Sequence, residues 1–139
     1  MKSLPPFHLA IPVHNLKAAK HFYGKILDCQ EGRSSDSWID YNFFGHQLVV
    51  HLDENIKKKS FNPVDGKNVP IPHFGLVLDW TQWKSLKNKL ENLNMEFVID
   101  PYIRFKGQIG EQATMFFLDP SGNALEFKAF KNIDQLFAN

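Results

Sequence analysis

The sequence predicts an α+β fold built from two copies of one βαβββ module. Two stretches carry this reading. FHLAIPVHNLKAAKHFY (residues 7–23) and PHFGLVLDWTQWKSL (72–86) share one order: a histidine, a short apolar strand, then a capped helix. Strand-like pieces follow each of them. Length agrees, because 139 residues suffice for one domain made of two small modules sharing a core. Neither module easily covers its sheet alone.

Module one spans 7–52. Phe7 to Val13 reads as a strand, with Pro12 marking an end or an edge. Alternation sets His8 and Ala10 on one face and Phe7, Leu9 and Ile11 on the other. Asn15 is placed to cap a helix running to about Leu27. Leu16, Ala19, Tyr23 and Ile26 form its apolar stripe, and Gly24 within it costs about 1 kcal/mol relative to alanine. Strands over 37–43 and 47–52 turn at Phe44-Gly45-His46. Residues 53–71, DENIKKKSFNPVDGKNVPI, read as a linker, with KKK as a solvated run.

Module two spans 72–130, with a C-terminal tail over 131–139. Its first strand is 73–78. Asp79 and Gln82 have capping-box spacing, and Trp83, Leu86, Leu90 and Leu93 form the stripe of the following helix. A strand over 96–99 leads into a long loop, DPYIRFKGQIGEQ. Strands 114–118 and 124–130 close the module. Asp119-Pro120-Ser121-Gly122 between them has the residues of a type I turn.

Composition excludes several classes. Net charge is +1, too balanced for a protein that grips nucleic acid through phosphate neutralisation. No apolar run reaches the ~20 residues of a membrane helix. MKSLPPFHL carries no signal-peptide core, so a cytoplasmic protein is expected. A single cysteine, Cys29, rules out an internal disulfide and a multi-cysteine metal site. Histidine and carboxylate remain as metal ligands.

If each helix covers one sheet face, His8 and His73 point to the other. Glu126 does too, since Leu125, Phe127 and Ala129 share the opposite face. A carboxylate in an apolar strand is costly unless paired or metal-bound. Two imidazoles and one carboxylate around one cavity would suit a non-haem Fe(II) with open positions. Each residue alone has a plainer reading: His8 and His73 as surface histidines at strand starts, Glu126 as a partner of Lys128 or Arg104. His51 is a fourth candidate, a ligand or an acid/base group. Counting from Gly45 and Gly122, Val49 rather than His51 matches Glu126. His14, His21 and His46 read as solvent-facing, and Cys29 as a small buried residue.

FHLAIPVHNLKAAKHFYGKIL, PHFGLVLDW and FFLDPSGNALEFKAF together resemble the vicinal oxygen chelate superfamily of glyoxalases, bleomycin-resistance proteins and extradiol dioxygenases. The resemblance covers nearly the whole chain and is nearest to the extradiol-dioxygenase-like group. It implies a single domain over 1–139 whose paired modules form a cupped mixed sheet around a divalent metal. It implies His8, His73 and Glu126 as ligands, Fe(II) as the metal with Mn, Ni or Zn as alternatives, O₂ and a small catechol-like molecule as substrates, and a homodimer. His51 and Tyr102 are the catalytic candidates, and Arg104 and Gln112 the substrate-binding ones. A glyoxalase-type isomerase or lyase, and a metal-free binder of small molecules such as antibiotics, are the competing expectations. Known extradiol enzymes are generally longer, which leaves the substrate open.

Overall fold

The computed structural model describes residues 4–56 and 60–139. The KKK run at 57–59 lies outside them. The fold is α+β, with two mixed sheets of four strands each and one two-stranded hairpin. Two compact units emerge, Met1–Lys58 with Asp119–Asn123, and Lys59–Leu118 with Ala124–Asn139. No helix among the described residues is long and apolar enough to cross a membrane.

The first unit holds β1 (His8–Val13), α1 (Leu16–Ala19), β2 (Gln30–Ser34), β3 (Trp38–Phe43) and β4 (His46–Leu52), in sheet order β1-β4-β3-β2. β1 runs parallel to β4, while the other pairs are antiparallel. Ile11 and Val13 are buried while His8 and Ala10 are exposed, as alternation requires. Asn15 accepts from the Ala18 amide at 2.8 Å and caps α1. The helix then continues as a π-helix over Lys20–Ile26. Its i→i+5 bonding adds a residue to the turn, so adjacent Phe22 and Tyr23 both enter the core. The apolar stripe expected from a 3.6-residue period is shifted, and Leu16 and Ile26 are only half-buried.

β3 and β4 join through Phe44 and Gly45, at φ 53° and 92°. Positive φ at both central residues is the turn that matches strand twist. Asp119–Asn123 forms the expected tight turn, with the Gly122 amide 3.0 Å from the Asp119 carbonyl. Asp119 is buried but well served. It accepts from the Tyr23 hydroxyl (2.7 Å), the Asn123 amide side chain, and the Ser121 and Asn123 backbone amides. Burial, then the Asp119 charge and hydrogen bond, push Tyr23 well above its usual pKa. His14, expected to face solvent, is exposed but engaged: its amide and Nδ1 both meet the Ser121 hydroxyl.

The second unit holds the hairpin strands β5 (Ser60–Val64) and β6 (Lys67–Ile71), then β7 (His73–Leu78), α2 (Trp80–Asn92), β8 (Phe97–Arg104), β9 (Gln112–Leu118) and β10 (Ala124–Phe130). Sheet order is β7-β10-β9-β8, with β7 parallel to β10. The hairpin corrects the linker reading over its own residues. It turns at Asp65-Gly66, both at positive φ. β8 runs on to Arg104, so Tyr102 and Arg104 sit on a strand instead of a loop. Pro101 is tolerated because β8 is an edge strand, with a register shift between Ile99 and Tyr102.

α2 begins with the full capping box of Asp79 and Gln82. It buries Trp83 and Leu90, with the Trp83 indole donating to the Phe127 carbonyl at 2.8 Å. Leu86 is half-buried, and Leu93, at the helix end, is 53% exposed. Leu125, Phe127 and Ala129 of β10 are fully buried on the helix side.

Gly75 of β7 stands opposite Glu126 of β10. A Cβ there would lie 1.6 Å from the Glu126 carbonyl oxygen. Gly75→Ala is therefore expected to push the strands apart and to cost at least the ~1–3 kcal/mol typical of overpacking. A urea midpoint equal to that of the parent protein would contradict it.

Candidate metal centre

His73 opens β7, and Glu126 sits mid-strand in the adjacent β10. Their side chains meet, with Nε2 3.1 Å from Oε1. The backbone sets this up. β6 runs into β7 through Pro72, and the Pro70 carbonyl lies 2.8 Å from His73 Nδ1. A carbonyl only accepts, so Nδ1 carries the proton. In the neutral ring the Nε2 lone pair then faces a carboxylate, and only a proton or a cation reconciles the two. The His73 ring also stands edge-on to Phe116, with centroids 5.1 Å apart.

Glu126 is held by more than His73. Thr114 on β9 donates its hydroxyl to Oε2 at 2.5 Å, and the Lys128 ammonium lies 4.0 Å from the same oxygen. The Glu126 side chain is 11% exposed. Burial pushes its pKa up, but the His73 and Thr114 hydrogen bonds and the Lys128 charge outweigh it, and the net shift is downward. The hydrogen bond to Glu126 raises His73, against the opposing effect of burial.

The other residues predicted from sequence fall in three places. Tyr102 and Arg104 both bind Asp65 at the hairpin tip, at 3.0 Å from the hydroxyl and 2.6 Å from Nε. Lys67 lies 4.8 Å from the Tyr102 ring centre. Burial, then the bond to Asp65, raise Tyr102 to about 12. Beneath the hairpin, Val69, Ile99 and Phe116 pack together with Val64 and Tyr102. Gln112 starts β9 across from Arg104 and is 6% exposed. Its Nε2 donates to the Gly110 carbonyl, while its Oε1 has no partner.

His8 and His51 belong to the first unit. His8 Nδ1 lies 2.7 Å from Gln47 Oε1. His51 is exposed at the end of β4, opposite Pro12 and Trp38. The two parallel pairings are in equivalent register. His8 stands opposite Gln47 and Ala10 opposite Val49; His73 stands opposite Ala124 and Gly75 opposite Glu126. Val49, buried and apolar, thus occupies in the first unit the place of Glu126 in the second.

A model of the Glyoxalase/Bleomycin resistance protein/Dioxygenase superfamily matches residues 6–127. The chain belongs to this superfamily. The crystal structure of a glyoxalase/bleomycin resistance protein/dioxygenase from Alicyclobacillus acidocaldarius is similar, at 33% identity, TM-score 0.80 and 96% coverage of both chains. The fosfomycin resistance protein FosX of Listeria monocytogenes shares the fold at 15% identity and TM-score 0.71, covering 97% of this chain and 98% of that one. Lactoylglutathione lyase from Agrobacterium tumefaciens does so at 16% identity and TM-score 0.68, over the whole of both chains. No curated protein matches by sequence.

Members of the glyoxalase/dioxygenase superfamily include many enzymes; they typically use a divalent metal and bind small-molecule substrates. Within neither unit, among the described residues, do three His, Cys, Asp or Glu side chains gather as a metal set. His73 and Glu126 nevertheless fit one. The imidazole has its tautomer fixed by a carbonyl, and the anionic carboxylate shares its space, as metal-ligating pairs require. Sequence reasoning missed Pro70, Thr114 and Asp65 as partners. Only Asp65 left a signal, in the Asp-Gly dipeptide of a hairpin turn.

The hydrogen bonds from Arg104 and Tyr102 hold the Asp65 carboxyl below its ordinary value of 3.8. A depressed carboxyl stabilises the fold above its unfolded pKa, and the contribution is lost as pH falls through the folded value. Amide-exchange protection of β5 and β6 is expected to drop below about pH 4. Asp65→Asn should remove that step, and an unchanged step would show that Asp65 does not cause it.

Proposed function

We propose that the protein is a metal-dependent dioxygenase of the extradiol type, with His8, His73 and Glu126 as protein ligands and Fe(II) as the metal. The observation that carries this is the His73–Glu126 pair: a lone pair and a carboxylate share one space, each locked by its own hydrogen bond. His8 joins them as the counterpart of His73, since both open a strand paired in equivalent register. Two imidazoles and one carboxylate leave open positions on Fe(II) for substrate and O₂. Val49 at the place of Glu126 favours three ligands over four, and so favours the dioxygenase over a glyoxalase-type isomerase.

When bound, the metal would supply a positive centre that takes both oxygens of a catechol-like substrate beside O₂. The reaction balances without a further reductant: catechol and O₂ give one ring-opened product holding both oxygen atoms. Thr114 and Lys128 keep Glu126 anionic. Pro70 keeps the His73 Nε2 unprotonated when the ring is neutral. Gln112 is assigned to substrate binding in the same proposal, its support being a buried Oε1 acceptor that has no protein partner. His51 is assigned to relay the substrate proton to solvent. Tyr102 is a poor base, since its hydroxyl already donates to Asp65; it and Arg104 hold the hairpin as a wall. A homodimer belongs to the same proposal on the strength of family likeness, and a cytoplasmic location joins it as the expectation drawn from the sequence.

Anaerobic loading with Fe(II), followed by metal analysis, is expected to give near-stoichiometric iron in the parent protein and little in His73→Ala. Catechols should then drive O₂ uptake. A loaded protein that consumes no O₂ with any catechol ends the dioxygenase reading, and preferential retention of nickel, zinc or manganese redirects it to glyoxalase-type chemistry.

A further inference from the structure

The second proposed histidine ligand has a lock of its own, in side chains that the functional reading does not use. His8 opens β1, and Gln47 stands directly opposite it on β4. His8 Nδ1 and Gln47 Oε1 are 2.7 Å apart. On the far side of Gln47, its Nε2 reaches Asp40 Oδ2 on β3 at 3.5 Å. Asp40 pairs with Val49, so all three residues sit on one face of the first sheet, in adjacent strands β1, β4 and β3.

The direction of this chain follows from donor chemistry. An ionised carboxylate only accepts, so Asp40 demands the NH₂ end of the Gln47 amide. Orientation of an amide is assigned from its network. With nitrogen toward Asp40, the amide oxygen must face His8, and an amide oxygen only accepts. The proton of neutral His8 therefore sits on Nδ1, and Nε2 is left as a free lone pair. The reverse orientation would set an amide N–H against Nδ1, put the proton on Nε2, and close that nitrogen to a metal.

We propose that Gln47, oriented by Asp40, is a positioning residue that fixes His8 as the Nδ1–H tautomer with Nε2 open for ligation. The ligand role of His8 rests on the functional reading above; the tautomer does not. The two halves of the chain thus reach one tautomer by different means, a backbone carbonyl behind His73 and a side-chain amide behind His8. Partners of this kind typically change metal affinity by about 10–100-fold when removed.

Two readouts test it on the full chain. Long-range ¹H–¹⁵N spectra of the metal-free protein should show His8 as the Nδ1–H form. Gln47→Met should release it to a mixture, Gln47→Glu should keep it, and Asp40→Asn should release it too, since an asparagine lets the Gln47 amide turn round. Titration with Co²⁺ against a chromophoric chelator should show binding weakened by about 10–100-fold in Gln47→Met. Backbone spectra report whether each variant stays folded. His8 found as the Nε2–H form, or a tautomer unmoved in both Gln47→Met and Asp40→Asn, overturns the lock. An unmoved Co²⁺ affinity beside a released tautomer overturns its role in ligation. A parent protein with the Nδ1–H form that binds no Co²⁺ overturns the metal reading and leaves the lock standing.

Discussion

The parallel contact between β7 and β10 is the constraint on which the candidate centre depends. Gly75 lets the two backbones approach so closely that no side chain fits between them. That approach fixes where Glu126 sits relative to His73, two residues earlier on β7. The opposite face of β10 is packed solid with Leu125, Phe127 and Ala129, and the Trp83 indole is bonded to its backbone. Glu126 is therefore carried on a strand with little freedom to yield. A carboxylate so placed keeps its charge only through partners, and His73, Thr114 and Lys128 supply them.

The hairpin of β5 and β6 extends the same logic to the entrance of the strand. It ends in Pro70 and Ile71, and the Pro70 carbonyl is what orients His73. Its other end is held by Asp65 on Arg104 and Tyr102, and its middle by Val69 against Ile99 and Phe116. The position of one imidazole is thus tied, through five residues of β6, to an ion pair at the protein surface.

Much of this was legible in the sequence where one local rule decides the outcome. Alternation separated His8 from buried Ile11 and Val13, and Glu126 from Leu125, Phe127 and Ala129; the cap residues Asn15 and Asp79 and the turn Asp119–Gly122 were readable from spacing. The match of Val49 to Glu126, counted from glycines, agrees with the strand registers. Legibility failed where composition and structure part company. Two prolines and a charged run disguised the hairpin, although Asp65-Gly66 marked its turn. β2 is a polar edge strand, QEGRS, with no apolar alternation to betray it. Pro101 hid the extension of β8, because an edge strand does not need that amide. The π-turn that buries both Phe22 and Tyr23 depends on packing, not propensity. The partners of the site, Pro70 through its carbonyl and Gln47 through its amide, meet their histidines only after strands pair.

The short turn Asp119–Asn123 carries one more consequence. It sits between β9 and β10 of the second unit, yet it folds as part of the first. There Asp119 receives the Tyr23 hydroxyl, Ser121 receives His14, and Asn123 bonds the Pro12 carbonyl. A first half cut free of the second would lack the carboxylate that receives the Tyr23 hydroxyl. The sequence repeat and the folded units therefore do not coincide: five residues of the second module complete the first unit.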